Sequence, residues 1–152
     1  MNPNFRPATI KDLPAIVRML ADDFLGSQRE RYEEPLPESY LKAFAEIDSS
    51  PNNELIVAEI DGEVIGTMQL TFIPNIAFQG GKRMLIESVR VDSKLRGQGI
   101  GKKFMEFAIN RAKEKDCLFV QLTTAADRTD AHRFYKDLGF TASHVGMKLR
   151  LK

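Results

Sequence analysis

Six consecutive residues, Arg96-Gly97-Gln98-Gly99-Ile100-Gly101, carry the strongest chemical signal in the sequence. Three glycines within five positions let a backbone approach a ligand closely. An apolar-periodic stretch follows at once, so the loop opens a helix. The first N–H groups of that helix lack intrahelical acceptors and carry a partial positive charge. Phosphate is the natural occupant of such a place. Arg96, Lys102 and Lys103 add formal charge beside it, and one charge-assisted hydrogen bond contributes about 1.5–3 kcal/mol. The plainer alternative is a glycine-rich turn that only lets strand and helix pack. Two familiar phosphate motifs fail at particular side chains. G-x-G-x-x-G would need glycine where Lys102 stands, and a P-loop would need glycine at Arg96 and Ser or Thr at Lys103. A dinucleotide fingerprint should also come early in a parallel sheet rather than after an antiparallel hairpin.

The elements that must position this loop can be read from periodicity. Residues 5–8 suit a short strand. Thr9 and Asp12 form a capping box with Asp in place of Glu or Gln. Ile10, Leu13, Ile16, Val17 and Leu20 then recur at helical spacing, with Pro14 in the first turns, where a missing N–H matters least. Residues 26–37 read as a loop, 38–47 as a shorter helix and 48–53 as a turn. Stretches 55–60 and 64–73 are strands joined at Asp61-Gly62, a type I′ hairpin signal. After Gly80-Gly81 come a third strand, 84–91, a helix, 99–115, and a strand, 118–123. The apolar side of that helix holds Ile100, Phe104, Phe107, Ala108 and Ala112. The unit is strand–helix–strand, which requires parallel strands and a right-handed crossover. A helix over 131–138 closes at Gly139, and the alternation over 143–151 predicts a final strand.

Composition bounds the answer. The 152 residues suit a single domain over 1–152 with its own core. One cysteine, Cys117, excludes an internal disulfide framework, and the cysteines and histidines support no metal site. No apolar run spans a bilayer, and the opening residues lack an apolar leader, so no membrane partner and a cytoplasmic location are expected. Between Asp22 and Glu38 six acidic residues face two arginines, while between Lys94 and Lys115 seven bases face two acids. These are either two solvated helix faces or the surroundings of a cationic and an anionic ligand. A nucleic-acid partner is not expected, because the basic stretch lacks interleaved aromatics for stacking.

Arg96, Gly99 and Gly101 match [Q/R]-x-x-G-x-[G/A], and the loop resembles the acyl-CoA motif of GNAT N-acetyltransferases. The resemblance extends to Glu87-Ser88-Val89-Arg90-Val91, similar to that family's central strand, and to Ala131-His132-Arg133-Phe134-Tyr135 through Gly139-Phe140, similar to its A-x-x-F-Y-x-x-x-G-F segment. Arg6-Pro7-Ala8-Thr9 with Asp12 matches its opening. The resemblance implies an α/β (α+β) GNAT fold: a mixed, mostly antiparallel sheet of about six or seven strands, a central parallel pair that splays apart, and about four flanking helices. It implies acetyl-CoA as co-substrate, entering between the splayed strands against Val89, Val91, Arg96, Gly97, Gln98, Gly99, Ile100, Gly101 and Lys102. Many members carry Asn seven residues before the motif tyrosine, at the pantetheine arm; here that position is Arg128. The stretch 127–135 is also similar to aminoalkylphosphonate N-acetyltransferases.

The implied reaction is direct acetyl transfer to the primary amine of a small molecule in a ternary complex. An alkylammonium titrates near pH 10.4, about 3 units above neutrality, so a base is needed. Glu87 is the candidate. Strand alternation sets it on one face with Val89 and Val91, where desolvation would raise its pKa; a place at the solvent end of the strand, or pairing with Arg83 or Arg90, is the plainer alternative. Tyr135 is the candidate acid for the leaving thiolate, or else a core tyrosine among Phe134, Leu138 and Phe140. Analogy places the oxyanion at the Val91 N–H. Cys117 lacks an obvious basic partner among His132 and His144, both expected at the surface. Met68, Met84, Met105 and Met147 are expected to fill core gaps. A protein or peptide N-acetyltransferase and a non-catalytic acyl-CoA-binding regulatory module are the alternatives, as monomer or homodimer.

Overall fold

The computed structural model describes residues 2–152. They form two compact units, one running through Gln121 and the other from Leu122 to Lys152.

The first unit is built on a sheet in the order β1-β2-β3-β4-β5. Its strands are β1 (Asn4–Pro7), β2 (Asn53–Ile60), β3 (Glu63–Ile73), β4 (Arg83–Val91) and β5 (Phe119–Leu122). The first four pair antiparallel in sequence order. Asp61 and Gly62 have φ of 52° and 80°, the two positive values that a type I′ turn requires. β5 lies beside β4. The Leu118 N–H donates to the Lys82 carbonyl at 2.6 Å, joining the leading ends of the two strands, which therefore run the same way. The sheet is mixed, as expected.

Helices cover both faces. Val57 and Ala58 are neighbours on β2 and so point to opposite sides. Val57 packs with Ile16 and Met19 of α1 (Leu13–Leu20), alongside Ala8 and Val64. On the other side, beneath α5 (Ile100–Glu114), the Phe104 ring stacks on Phe5 at 5.2 Å. Phe104, Met68, Met84 and Met105 are fully buried; cutting Phe104 to alanine would cost about 3–5 kcal/mol. The capping box forms as read, with the Thr9 N–H donating to Asp12 Oδ2 at 2.7 Å. Arg6 clasps the same carboxylate at 2.7 Å and Glu59 at 3.1 Å, tying β1 to β2 and to the start of α1. The Arg6 guanidinium holds the Asp12 carboxyl below its usual range.

Four expectations are corrected. The stretch read as a loop begins with a short helix, α2 (Phe24–Arg29), because Asp23 caps it through the Gly26 N–H. α3 follows at Glu38–Ser49, and a single turn, α4, at Ala77–Gly80. The sheet of the described residues has five strands rather than six or seven. Residues 143–151 alternate but form no strand and are exposed throughout; alternation makes a segment fit for pairing without supplying the neighbour. Met147, expected in the core, is 92% exposed for the same reason. The second unit holds α6 (Thr129–Asp137), closed at Gly139 with φ of 100°. No helix of the described residues is long and apolar enough to cross a membrane.

Candidate functional site

The phosphate loop is anchored from β4. Beyond Val91 the chain turns at Asp92, which is buried with 6% of its surface exposed. Its carboxylate accepts the Lys94 N–H at 3.0 Å and an Arg18 N–H at 3.3 Å, and its own N–H donates to the Ile65 carbonyl at 2.8 Å. The Lys94 bond first, and Arg18 after it, hold the Asp92 carboxyl below its ordinary range. A 3-10 turn, Ser93–Leu95, then delivers Arg96 to the start of α5. Sequence reading missed Asp92; Asp followed by Ser and Lys at a strand exit is its signature, an Asx turn.

Gly97 and Gly99 have φ of 80° and 79°, and a Cβ on either would meet nothing within 4 Å. Arg96 through Gly99 are exposed, while Ile100 is buried and fixes the helix start. Gly99 is the N-cap and no side chain caps the helix, so the first-turn N–H groups face open space. An acyl-CoA pyrophosphate fits this cradle: open room, outward N–H groups, and Arg96 and Lys102 exposed beside it. Lys103 donates to Asn2 Oδ1 at 3.1 Å.

β4 holds a surprise. Gln69 faces Glu87 and Thr67 faces Arg90, so Ser88 and Val89 together oppose Met68 alone. Ser88 has φ of 55°, a value uncommon outside glycine, and the strand bulges. Residues opposite each other in a ladder share a face. Glu87 therefore shares a face with Arg90, Thr67 and Gln69, whereas Val91, opposite Gly66, falls on the side of Met84 and Ile86. The single face expected for Glu87, Val89 and Val91 does not exist, because the extra residue resets the alternation. Glu87 is exposed rather than wrapped in apolar groups. The described residues give it no ion pair with Arg83 or Arg90. Thr67 Oγ1, one rung away, is buried without a protein partner, which makes this a polar break in an apolar sheet.

The acidic stretch reaches β4 at one end only. Asp23 Oδ2 lies 3.8 Å from Arg90 Nη2. Glu33 and Glu34 instead line a groove of about 240 Å³ with Ile10, Leu13, Leu36 and Leu41, at the opposite end of α1. With a rise of about 1.5 Å per residue, α1 separates the two places by roughly a Debye length of about 10 Å.

The second unit carries Arg128 and Tyr135. Arg128 is the exposed N-cap residue of α6, and its carbonyl accepts the His132 N–H at 3.1 Å. Tyr135 is half-buried, 5.2 Å from the Phe134 ring and 5.9 Å from Phe140. His132 is half-buried, with Nε2 2.9 Å from the Ala125 carbonyl, and His144 is exposed. In the first unit, burial pushes the Cys117 thiol up, away from a nucleophilic thiolate.

Comparison with known proteins agrees with this geometry. The profile of the Acetyltransferase (GNAT) family matches residues 16–140. An uncharacterized N-acetyltransferase of Archaeoglobus fulgidus is 30% identical over 130 residues, 86% of this chain and 87% of that protein. The aminoalkylphosphonate N-acetyltransferase of Salmonella typhimurium is 30% identical over 70% of this chain and 69% of its own. A match to the Bacillus subtilis protein YhdJ is shorter, and the chain spans about half (49%) of that relative's length. Among solved structures, a transcriptional regulator from Bacillus halodurans is 53% identical with a TM-score of 0.96, covering 99% of this chain and 100% of that one. With the motif, the sheet and the profile in agreement, the chain belongs to the GNAT acetyltransferase family.

Proposed function

We propose that this protein transfers an acetyl group from acetyl-CoA to the primary amine of a small molecule, by direct attack in a ternary complex, within one domain over 1–152. The observation that carries the reading is the open, uncapped start of α5 behind Gly97 and Gly99, with Asp92 fixing it to the sheet. Arg96 through Lys102 bind the pyrophosphate, and Val89, Val91 and Arg128 line the rest of the donor. A cytoplasmic setting fits a chain whose one cysteine is a free thiol.

The neutral amine attacks the thioester carbonyl carbon. The C–S bond then breaks, the amide forms, and the sulfur leaves as a thiolate. Glu87, exposed on β4, accepts the ammonium proton directly or through water. Tyr135 donates a proton to the thiolate, and the Val91 N–H meets the oxyanion. Each such proton transfer is worth about 10²–10⁴ in rate.

The acceptor is read as neutral to cationic. Asp23 stands beside Arg90 on the bulged strand and brings a carboxylate to it. The Salmonella relative's name supports the other sign, a small amine carrying an acidic group, which would want Arg128 or Arg133. The deciding experiment measures thiol release from acetyl-CoA with spermidine, a lysine peptide, an amino sugar and an aminoalkylphosphonate. Turnover of spermidine or the amino sugar supports the reading. A phosphonate preference in kcat/KM that is lost in Arg128→Ala overturns the charge assignment, and preference for the peptide overturns the small-molecule one. The name of the Bacillus halodurans relative favours a second reading, a regulatory module that binds acyl-CoA. Tight acetyl-CoA binding without turnover of any amine would establish it.

A further inference from the structure

β1 is shorter than the strand beside it, and the mismatch opens a space. Asn4 to Pro7 pair only with Ile56 to Glu59, and the chain then leaves the sheet at Ala8, whose N–H donates to the Leu55 carbonyl at 2.8 Å. β2 begins earlier, at Asn53, so Asn53 and Glu54 run on with no strand on that side. Phe44 of α3 packs on the face of Val57, while α5 covers the other face. Between the two helices, at the bare end of β2, lies a groove of about 400 Å³. Ligand pockets span roughly 300–1,000 Å³.

The lining combines two chemistries. Phe5, Phe44 and Phe107 supply aromatic rings, with those of Phe5 and Phe107 5.0 Å apart. Asp48, Glu54 and Glu114 set three carboxylates against one cation, Arg111. That cation is already committed to the groove's own acids. Its Nε and Nη2 donate to the two oxygens of Glu54, the first at 2.8 Å, and Nη1 donates to Glu114 at 2.8 Å. The Asp48 carboxylate is exposed and has no ion pair among the described residues. It stands in the last turn of α3, where the helix end adds partial negative charge. An excess of carboxylate attracts cations and repels anions, and the faces of aromatic rings hold a cation that has no N–H to donate.

We propose that this groove is a second ligand site, which takes a small organic cation: an alkylated ammonium on an apolar body. The apolar body lies against the phenylalanines, and the charge lies toward Asp48 and the carboxylates of Glu54 and Glu114. An anion of the same size meets net repulsion, and a neutral molecule leaves the carboxylates unused. The site is separate from acetyl transfer. Arg111 lies about three turns along α5 from Ile100, roughly 16 Å at the helical rise. β3 stands between β2 and the bulged strand that carries Glu87.

Phenyltrimethylammonium is the probe. It carries no N–H, so acetyl transfer cannot consume it, and its binding is read whether or not the protein turns over any amine. Calorimetric titration is run on wild type, Asp48→Asn and Phe44→Leu, with benzenesulfonate as the anion of similar size. The expected result for wild type is one site with a Kd of about 1 mM or tighter, and no binding of the sulfonate. Asp48→Asn weakens the cation about two- to fivefold, as loss of an exposed charge partner does. Phe44→Leu keeps the bulk, removes the ring and weakens it about threefold or more. No binding of the cation, or equal binding of the sulfonate, overturns the proposal. So does an affinity unchanged in both variants, which would put the cation elsewhere. Should Phe44→Leu fail to fold by circular dichroism, amide chemical shifts of the wild type decide. Changes centred on residues 44–55 and 107–114 support the groove, and changes centred on residues 87–101 contradict it.

Discussion

The start of α5 and the helix that carries Tyr135 are held in different ways. The first leans on Ile100, Phe104 and Met105, each at most 1% exposed, and on buried Asp92 with its backbone and arginine partners. The second has no buried residue, nor has any position from Leu122 to Lys152; its order comes from rings in half-exposed contact. A core-anchored cradle is preorganised before any ligand arrives, whereas a segment without buried contacts opens locally at little cost. The difference assigns the donor's phosphates to the core-anchored part and proton delivery to the part without buried residues.

Substitutions can break that division. Tyr135→Phe has the largest expected effect: kcat falls by about 10²–10⁴, the range for a lost general acid, while acetyl-CoA affinity holds, as paired steady-state kinetics and calorimetry would show. An equal fall in affinity would move Tyr135 into the binding machinery. Glu87→Gln should cost less, near the low end at about 10²-fold, because water can reach an exposed carboxylate's place. The loss should be greatest toward low pH, where the amine is hardest to deprotonate. A pH–rate profile from pH 6 to about 9 reads it, and full activity throughout would remove Glu87 from the mechanism.

Asp92→Asn sharpens the other side. It should lower stability by about 1–3 kcal/mol at neutral pH through the weakened bonds to a buried charge, measured by denaturant unfolding. Because the folded state depresses the Asp92 pKa, the carboxylate's contribution is complete above the unfolded value of about 3.9 and is lost as pH falls through the folded one. The gap between wild type and variant should therefore be widest near neutrality and close below about pH 4. A gap that does not change with pH would assign the loss to packing.

The sequence made most of this legible where the signal is local. The Asp61-Gly62 turn, the helical spacing from Ile100 to Ala112 and the glycines at 97 and 99 each declare their own geometry. What it concealed depends on partners. Ser88 carries no glycine-like mark, so the bulge that turns Glu87 away from Val91 is visible only in the ladder with β3. The α2 helix hung on one capping aspartate within a stretch dominated by loop residues. The strand expected at 143–151 had the right alternation, but alternation does not say whose edge it meets. The acidic residues from Asp22 to Glu38 form one charged stretch in the sequence, whereas α1 lies between Asp23 and the Glu33–Glu34 groove.

The claim on which the rest depends is that the turn into α5 holds the phosphates of acetyl-CoA. Calorimetric titration of acetyl-CoA into wild type, Gly99→Ala and Gly99→Glu tests it most directly. Both variants strain the left-handed backbone at residue 99, and only glutamate adds negative charge where the phosphates would lie. The account predicts a modest loss for alanine and a loss of about 100-fold or more for glutamate, the equivalent of two steps of about 1.4 kcal/mol, with the fold intact by circular dichroism. Undiminished acetyl-CoA affinity in Gly99→Glu would contradict it.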